Sequence, residues 1–142
     1  MRALLALAAC STLLLVGLAG CESEDKATTC GDVPSDVKTL EVHLGTNSDG
    51  KTMYLKSSST TVAQGDKVRF RVVNDDKSVF HDMILKDYND KNYEHEADGG
   101  ATVCTYSDGN PYFTANTKGT FPIYCEVPGH RDMGMAGTFV VN

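Results

Sequence analysis

Apolar and polar side chains alternate along two segments of the chain, residues 39–44 and 67–72. In the first segment Leu40, Val42 and Leu44 fall on one parity, between polar neighbours. A period of two turns one face of a strand toward a core and the other toward water. Both segments are therefore predicted to be half-buried β-strands.

Further strand candidates are short and are bounded by turn-forming residues. They are residues 52–56, 60–63, 81–86, 102–106, 120–125 and 137–141, with turn-rich pieces at 45–50, 65–66 and 107–111. About eight short strands without a convincing helix predict an all-β fold, an antiparallel β-sandwich with Greek-key connections.

The polar segment 87–100 is the exception to this pattern. It is rich in Asp, Asn and Gly, so we expect a surface excursion with room for one helical turn. His95 lies in this segment and is expected at the surface. The same position is expected for His43, because it alternates outward with Glu41.

Three residues with metal-binding side chains lie close together near the C-terminus, Cys125, His130 and Met135. A thiolate, an imidazole and a thioether are ligands of a trigonal electron-transfer copper, with the thioether as a weak axial partner. Met135 is preferred as the axial ligand because Gly134 before it gives the backbone room to approach. Met133 is the alternative, although packing is its favoured role.

Such a copper site needs a second imidazole, and His81 is the best candidate. His81, Met83 and Leu85 share one parity, so His81 continues an apolar stripe to the end of a strand. If this stripe faces the core, the ring of His81 points inward.

His130 is expected to be the more exposed of the two histidines, because it lies in a loop whereas His81 begins a strand. Its ring edge is the predicted point at which electrons enter and leave. We expect apolar surface around it from residues such as Pro128, Met133 and Pro111.

The start of the chain has the pattern of a bacterial lipoprotein signal peptide. A positively charged beginning and a nearly uninterrupted apolar run precede the lipobox-like sequence Leu-Ala-Gly-Cys at residues 18–21. We predict a signal peptide over residues 1–20, a lipidated Cys21 with a tether through residue 36, and a copper-binding domain over residues 37–142. The alternative is an uncleaved membrane helix, because the apolar run approaches the length that spans a bilayer.

Both alternatives place the rest of the chain in the cell envelope, facing the periplasm or the cell exterior. The chain carries 13 Lys plus Arg against 19 Asp plus Glu, a net charge of −6. This balance argues against a nucleic-acid partner and favours a basic redox protein, such as a cationic cytochrome, or a membrane complex. The alternative is that the charge only maintains solubility. We expect a monomer held at the membrane by its lipid.

The cysteines agree with an oxidising compartment once each is given a role. Cys10 leaves with the signal peptide, Cys21 takes the lipid and Cys125 takes the metal. Cys30 and Cys104 remain, and we predict a disulfide between them. Two unpaired buried thiols are the alternative.

Most of the chain from residue 39 to residue 142 resembles the cupredoxins, the small blue type 1 copper proteins. The segments that carry the resemblance are residues 62–68, 119–125, 128–130, 134–135 and 137–141, together with Asn74. The C-terminal loop is similar to that of auracyanin, rusticyanin and plastocyanin-like proteins. The resemblance implies one mononuclear type 1 copper ion as cofactor. Its ligands would be His81, Cys125, His130 and Met135.

One residue departs from the family pattern. Many cupredoxins have Asn or Ser just after the first ligand histidine, tying the two ligand loops together, and this chain has Asp82. A carboxylate so near the metal is expected to favour Cu(II) and to lower the reduction potential.

The predicted function is that of an electron carrier without a substrate, and not an enzyme. The chain has four histidines and no His-x-His pair, which a catalytic copper of oxidases or nitrite reductases would need. A zinc site is disfavoured because methionine is a poor zinc ligand. The main alternative is a Cu(I) carrier that would use Cys125, Met83, Met133 and Met135.

Overall fold

The computed structural model describes residues 30–142. The predicted signal peptide, the lipidation of Cys21 and the first part of the predicted tether lie outside the described residues. Within residues 30–142, no helix has the length and apolar character to cross a bilayer.

The described residues form two five-stranded sheets and contain no helix. The strands are β1 Val37–Thr46, β2 Met53–Ser57, β3 Thr61–Val62, β4 Lys67–Asn74, β5 His81–Tyr88, β6 Lys91–Ala97, β7 Thr102–Val103, β8 Phe113–Thr114, β9 Gly119–Tyr124 and β10 Ala136–Val141. One sheet has the order β2-β1-β4-β7, with β8 also paired to β4, and the other has the order β3-β10-β9-β5-β6. The prediction of an all-β fold is confirmed.

Most strand pairs are antiparallel, as expected, but two are parallel. β1 runs parallel to β4, and β10 runs parallel to β3. The chain changes sheets between β2 and β3 and again between β3 and β4, so β1 and β4 meet side by side without a hairpin. These crossovers between sheets are consistent with Greek-key connections.

The alternation in the sequence corresponds to the core of the sandwich. Along β4 every second residue is buried, and β1 aligns Leu40 with Phe70 and Val42 with Val72 on the same inner face. Side chains such as Phe139 from the other sheet pack against them. Each such side chain stabilises the fold by roughly 1.5–3 kcal/mol relative to full exposure.

The prediction for residues 87–100 is wrong, because the segment contains β6, which pairs antiparallel with β5 along nearly its whole length. Three non-glycine residues have positive φ here, Asp87 at the irregular end of β5 and Asn89 and Asp90 in the turn before β6. Tyr93, His95 and Ala97 alternate inward with glutamates outward, but two of those inward residues are polar or partly polar. The period of two was therefore hidden by composition.

The expected surface position of His95 is also wrong, since its side chain is fully buried. His43 differs from it, because its side chain is 38% exposed and its ring lies between the carboxylates of Glu41 and Asp75. Strand parity, and not residue type, separates the two histidines.

The predicted disulfide joins Cys30 to Cys104 across a sequence separation of 74 residues. It ties the segment before β1 to the segment after β7. By the chain-entropy model, a crosslink of this span stabilises the folded state by roughly 4 kcal/mol. Cys125 is a free, buried thiol.

Candidate metal centre

Three potential ligand side chains converge at one end of the sandwich. The ligand atoms of His81, Cys125 and His130 all lie within 4.8 Å of one another, and all three residues are buried. The Nδ1 atoms of the two histidines are 3.1 Å apart, and Cys125 Sγ is 3.5 Å from His130 Nδ1. Among residues 30–142, this is the one group of His, Cys and acidic side chains with such a geometry.

Cys125 and His130 are brought together by a loop that closes on itself. Cys125 directly follows β9, and the N–H of His130 donates to the carbonyl of Val127 at 3.0 Å. The N–H of Met135 donates to the carbonyl of His130, and the N–H of Cys125 donates to the carbonyl of Met135, both at 3.1 Å. The backbone of Met135 is thus bonded to both of the other residues from this loop.

Gly134 is required by a close approach between the loop and β2. Its φ is +116°, and a Cβ added there would lie 2.7 Å from the carbonyl oxygen of Met53. The N–H of Met53 in turn donates to the carbonyl of Met133 at 2.8 Å. Strand β2 therefore holds the loop in place through contacts between protein atoms alone.

The two methionines of the loop have different surroundings. Met135 is fully buried and belongs to the same core cluster as Cys125. Met133 is partly exposed, and its terminal methyl lies beside Gly129, 3.9 Å from the position that a Cβ there would take. Met135 is therefore the more buried of the two methionines, and its role as the axial ligand stays a prediction.

His81 is the first residue of β5, and the turn before it is fixed by Asn74. The side-chain amide of Asn74 donates to the carbonyls of Val79 and Ala97, each at 2.8 Å, and its oxygen accepts the N–H of Asp76 at 3.0 Å. Asn74 is buried because it continues the inward parity of β4. The sequence analysis found Asn74 only through the family resemblance, although this parity predicts its burial.

The second ring nitrogen of His81 contacts a carboxylate that the sequence analysis missed. His81 Nε2 lies 2.8 Å from Asp76 Oδ2, and this same oxygen accepts the hydroxyl of Thr46 at 2.7 Å. Asp76 lies in a polar turn, where no periodicity indicates which side chain folds back onto the strand. No pattern in the sequence could have identified it.

Asp82 connects the two ligand segments. Its Oδ1 accepts the backbone N–H of Glu126 at 2.6 Å, directly after Cys125. The resemblance assigns such a tie to an Asn or Ser at this position. Here the tie carries a negative charge and lies next to the thiol.

The pKa values of Cys125 and His130 indicate which of these two ligands carries a proton that a metal would have to displace. Burial raises the pKa of the Cys125 thiol to about 11. Hydrogen bonds from two backbone N–H groups lower this pKa, and the charge of Asp82 raises it. Burial lowers the pKa of His130. At neutral pH the thiol keeps its proton until a metal replaces it, and His130 is neutral and able to coordinate.

The expected surroundings of His130 are partly met. His130 is 8% exposed against 0% for His81, and Pro128 beside it is exposed. The prediction that Pro111 lies beside His130 is wrong. Pro111 precedes β8, and β8 pairs with the beginning of β4, whereas the ligands lie near the end of β4. Phe80, which is 42% exposed and precedes His81, is an apolar surface residue that the sequence analysis missed.

Two imidazoles and a thiol, with a buried methionine in the same loop, are the ligand types of a mononuclear copper site, and the cluster of His81, Cys125 and His130 fits one type 1 copper ion. His81, Cys125 and His130 would hold the ion. A family model of copper-binding proteins, the plastocyanin/azurin family, matches residues 41–142.

Solved structures with the same fold include blue copper proteins. Auracyanin A from the green thermophilic photosynthetic bacterium Chloroflexus aurantiacus is 22% identical, over 74% of this chain and 100% of its own, with a TM-score of 0.50. Reduced auracyanin from the photosynthetic bacterium Roseiflexus castenholzii is 17% identical, over 76% of this chain and 98% of its own, with a TM-score of 0.52.

A multicopper oxidase shares the fold as well. McoA from the hyperthermophile Aquifex aeolicus is 13% identical, over 82% of this chain and 30% of its own, with a TM-score of 0.56. At these identities the structural likeness shows the fold alone. No curated protein sequence matches the chain.

Proposed function

The chain belongs to the plastocyanin/azurin family of copper-binding proteins, as the resemblance in its sequence predicted, and we propose that it is a lipid-anchored one-electron carrier of the cell envelope. The observation that carries the proposal is that the ligand atoms of three buried residues, His81, Cys125 and His130, lie within 4.8 Å of one another. Copper bound there supplies a Cu(II)/Cu(I) couple.

The protein's own contribution is to hold the ligand side chains still. His81 is fixed by β5 and Asn74, and the loop with Cys125 and His130 is fixed by its own turns and by β2. Because these hydrogen bonds join protein atoms to each other and do not pass through the metal, both oxidation states would meet nearly the same arrangement. A small rearrangement favours fast electron transfer.

The partly exposed edge of His130 is the proposed point of electron exchange. Close to the ligand loops, Asp82 and Glu126 share an outer surface with Glu94 and Glu96 of β6. Burial raises the pKa of Glu94, and the charges of the other three acids raise it further. Such an acidic surface supports a basic redox partner, which it would attract from a distance.

The lipid anchor and the location are supported by the sequence of residues 18–21 and by the disulfide of the folded domain. A lipid on Cys21 would keep a monomeric carrier close to a membrane surface. Labelling with a radioactive fatty acid tests this step. We expect label in the native chain and none in Cys21→Ser, and equal labelling of both chains would contradict the anchor.

An electron carrier and a Cu(I) carrier are distinguished by voltammetry and metal transfer on the same copper-loaded protein. We expect a reversible one-electron wave, and copper that stays bound when a cationic redox protein oxidises or reduces the chain. Electron exchange should slow as salt concentration rises, because salt screens the acidic surface. A colourless protein that binds only Cu(I) and gives it up to an acceptor would contradict the proposal.

The absence of catalysis is also proposed. Within the described part of the chain, one His- and Cys-containing cluster could hold a metal, whereas a copper oxidase needs further copper sites. We expect no oxygen consumption when the reduced, copper-loaded protein is mixed with an organic reductant and air. Sustained turnover of oxygen would contradict this part of the proposal.

A further inference from the structure

We propose that Asp76 is a positioning residue that fixes the tautomer and orientation of His81 and, through its negative charge, strengthens that imidazole as a copper ligand. The inference rests on the copper site of the proposed function. It does not depend on whether the protein carries electrons or delivers copper.

Asp76 determines which nitrogen of the His81 ring carries the proton. Asp76 Oδ2 lies 2.8 Å from His81 Nε2, and an ionised carboxylate can only accept a hydrogen bond. Nε2 therefore carries a proton and donates it to Asp76. In the neutral ring the other nitrogen, Nδ1, is left with a lone pair, and it is this atom that lies 3.1 Å from His130 Nδ1.

Asp76 is itself held in place by its neighbours. Thr46 of β1 donates to it twice, from its hydroxyl to Oδ2 at 2.7 Å and from its backbone N–H to Oδ1 at 3.2 Å. The backbone N–H of Asp76 donates to the side chain of Asn74 at 3.0 Å. The two bonds from Thr46 hold the carboxylate itself, and the bond to Asn74 holds the backbone from which the carboxylate extends.

Asp76 also acts on His81 through its negative charge. His81 is fully buried and the side chain of Asp76 is only 19% exposed, so the charge acts on the ring through little water. A carboxylate that accepts the outer N–H of a ligand histidine raises the electron-donating strength of the ring. This strengthening favours Cu(II) over Cu(I) because Cu(II) carries the larger charge. Asp76 should therefore lower the reduction potential.

Asp76→Asn is the informative variant, because an amide oxygen can still accept the Nε2 proton while the charge is lost. Asp75→Asn is the matched control. Its carboxylate lies one residue away and bonds to His43 at 3.0 Å and to the Tyr54 hydroxyl at 2.8 Å, and not to His81. Both variants remove one negative charge from the same turn.

The measurements are Cu(II) affinity, by competition with a chelator, and the reduction potential. We expect Asp76→Asn to weaken Cu(II) binding by about 10- to 100-fold, the range found for partners of metal-ligating histidines. If Cu(I) binding is unchanged, each tenfold loss raises the potential by about 59 mV. We expect Asp75→Asn to change both quantities far less. Equal changes in the two variants would overturn the proposal.

Nitrogen NMR of the metal-free, unaltered protein tests the tautomer without copper and without a substitution. We expect His81 to carry its proton on Nε2. A proton found on Nδ1 would overturn the proposal even if the copper site forms, and this result is available even if Asp76→Asn fails to fold. If electron transfer were normal but the proton of His81 were on Nδ1, the proposed function would still hold and only the role of Asp76 would be rejected.

Discussion

His81 and His95 are two fully buried histidines on neighbouring strands of one sheet, and their surroundings differ in one respect. The ring nitrogens of His81 lie 2.8 Å from a carboxylate oxygen of Asp76 and 3.1 Å from the ring of His130. Neither ring nitrogen of His95 has a hydrogen-bond partner in residues 30–142. Burial alone therefore does not make an imidazole a ligand. Its polar neighbours decide whether it can hold a metal.

His95 instead serves as an aromatic core residue. Its ring centroid lies 4.5 Å from that of Tyr106 and 6.2 Å from that of Phe70, both in edge-to-face arrangements. Burial lowers the pKa of His95 to about 3. The ring is neutral at pH 7, and its unpaired nitrogens cost roughly 1–3 kcal/mol each in desolvation.

The largest expected effect comes from removing either ring and measuring copper binding. His81→Ala should weaken copper binding by more than about 100-fold, because losing a ligand exceeds the effect of losing a ligand's partner. His95→Phe should leave copper binding nearly unchanged, since its ring fills the same space without contacting the metal. Titration against a coloured chelator measures both. Similar losses in the two variants would break the distinction between ligand and core histidine.

The second effect is the dependence of stability on pH that His95 imposes. Its pKa is about 3 in the folded chain against an ordinary value of 6.5, so below pH 6.5 the unfolded state binds a proton that the folded state refuses. Above pH 6.5 the ring is neutral in both states, so it does not make the free energy of unfolding depend on pH. As the pH falls from 6.5 toward 3, the free energy of unfolding decreases. Between pH 7 and pH 4.5, the free energy of unfolding of His95→Phe should therefore fall by about 2–3 kcal/mol less than that of the native chain.

Urea unfolding at the two pH values measures this gain, and the difference between them cancels the packing change that the substitution itself makes. If the free energies of unfolding of the native and His95→Phe chains fell in parallel on acidification, His95 would not be the buried neutral ring described above.

A smaller effect is expected at Asp82, which bonds to the loop next to Cys125 instead of to a ligand ring. Asp82→Asn keeps an oxygen acceptor for the Glu126 N–H and removes the charge. We expect the reduction potential to rise by less than about 59 mV, a tenfold preference between the two copper states. Voltammetry checks this, and an unchanged potential would remove the electrostatic role of Asp82.

The smallest effect belongs to His43, a surface ring with carboxylates on both sides. Hydrogen bonds to Glu41 and then to Asp75 raise the pKa of His43 above its ordinary 6.5. Its contribution is fully present below pH 6.5 and is lost as pH rises through the raised value, the opposite sign to His95. Because the side chain is 38% exposed, we expect less than about 1 kcal/mol.

Chemical denaturation of His43→Gln between pH 6 and pH 9 measures this contribution. The variant should lose the decline in stability that the native chain shows over this range. A decline of the same size in both chains would mean that the paired carboxylates do not hold the charge of His43.

Local patterns predicted much of the fold and of the site. Alternation identified the cores of β1 and β4, and the loop from Cys125 to Met135 brings two ligands together within a few residues, so sequence distance and spatial distance agree there. His81 is far from the other two ligands in the sequence, but it could be identified because it shares its strand parity with Met83 and Leu85, which are buried.

The features that were missed depend on contacts between distant segments. The strand β6 was hidden because one of its three inward residues is a histidine, a residue type that composition alone assigns to the surface. The role of Asp76 follows from a turn that folds onto β5 and from Thr46 on another strand, and neither contact leaves a periodic trace. Pro111 was expected near His130, but the pairing of β8 with the start of β4 could not be deduced from the sequence.

The most direct test of a thiolate-bound copper is the optical and EPR spectrum of the full chain loaded with Cu(II), recorded beside Cys125→Ser and His95→Phe. We expect an intense visible thiolate-to-copper band and a small copper hyperfine splitting in the native chain and in His95→Phe, and neither feature in Cys125→Ser. A pale native protein, or a Cys125→Ser spectrum that matches the native one, would contradict the assignment of this site.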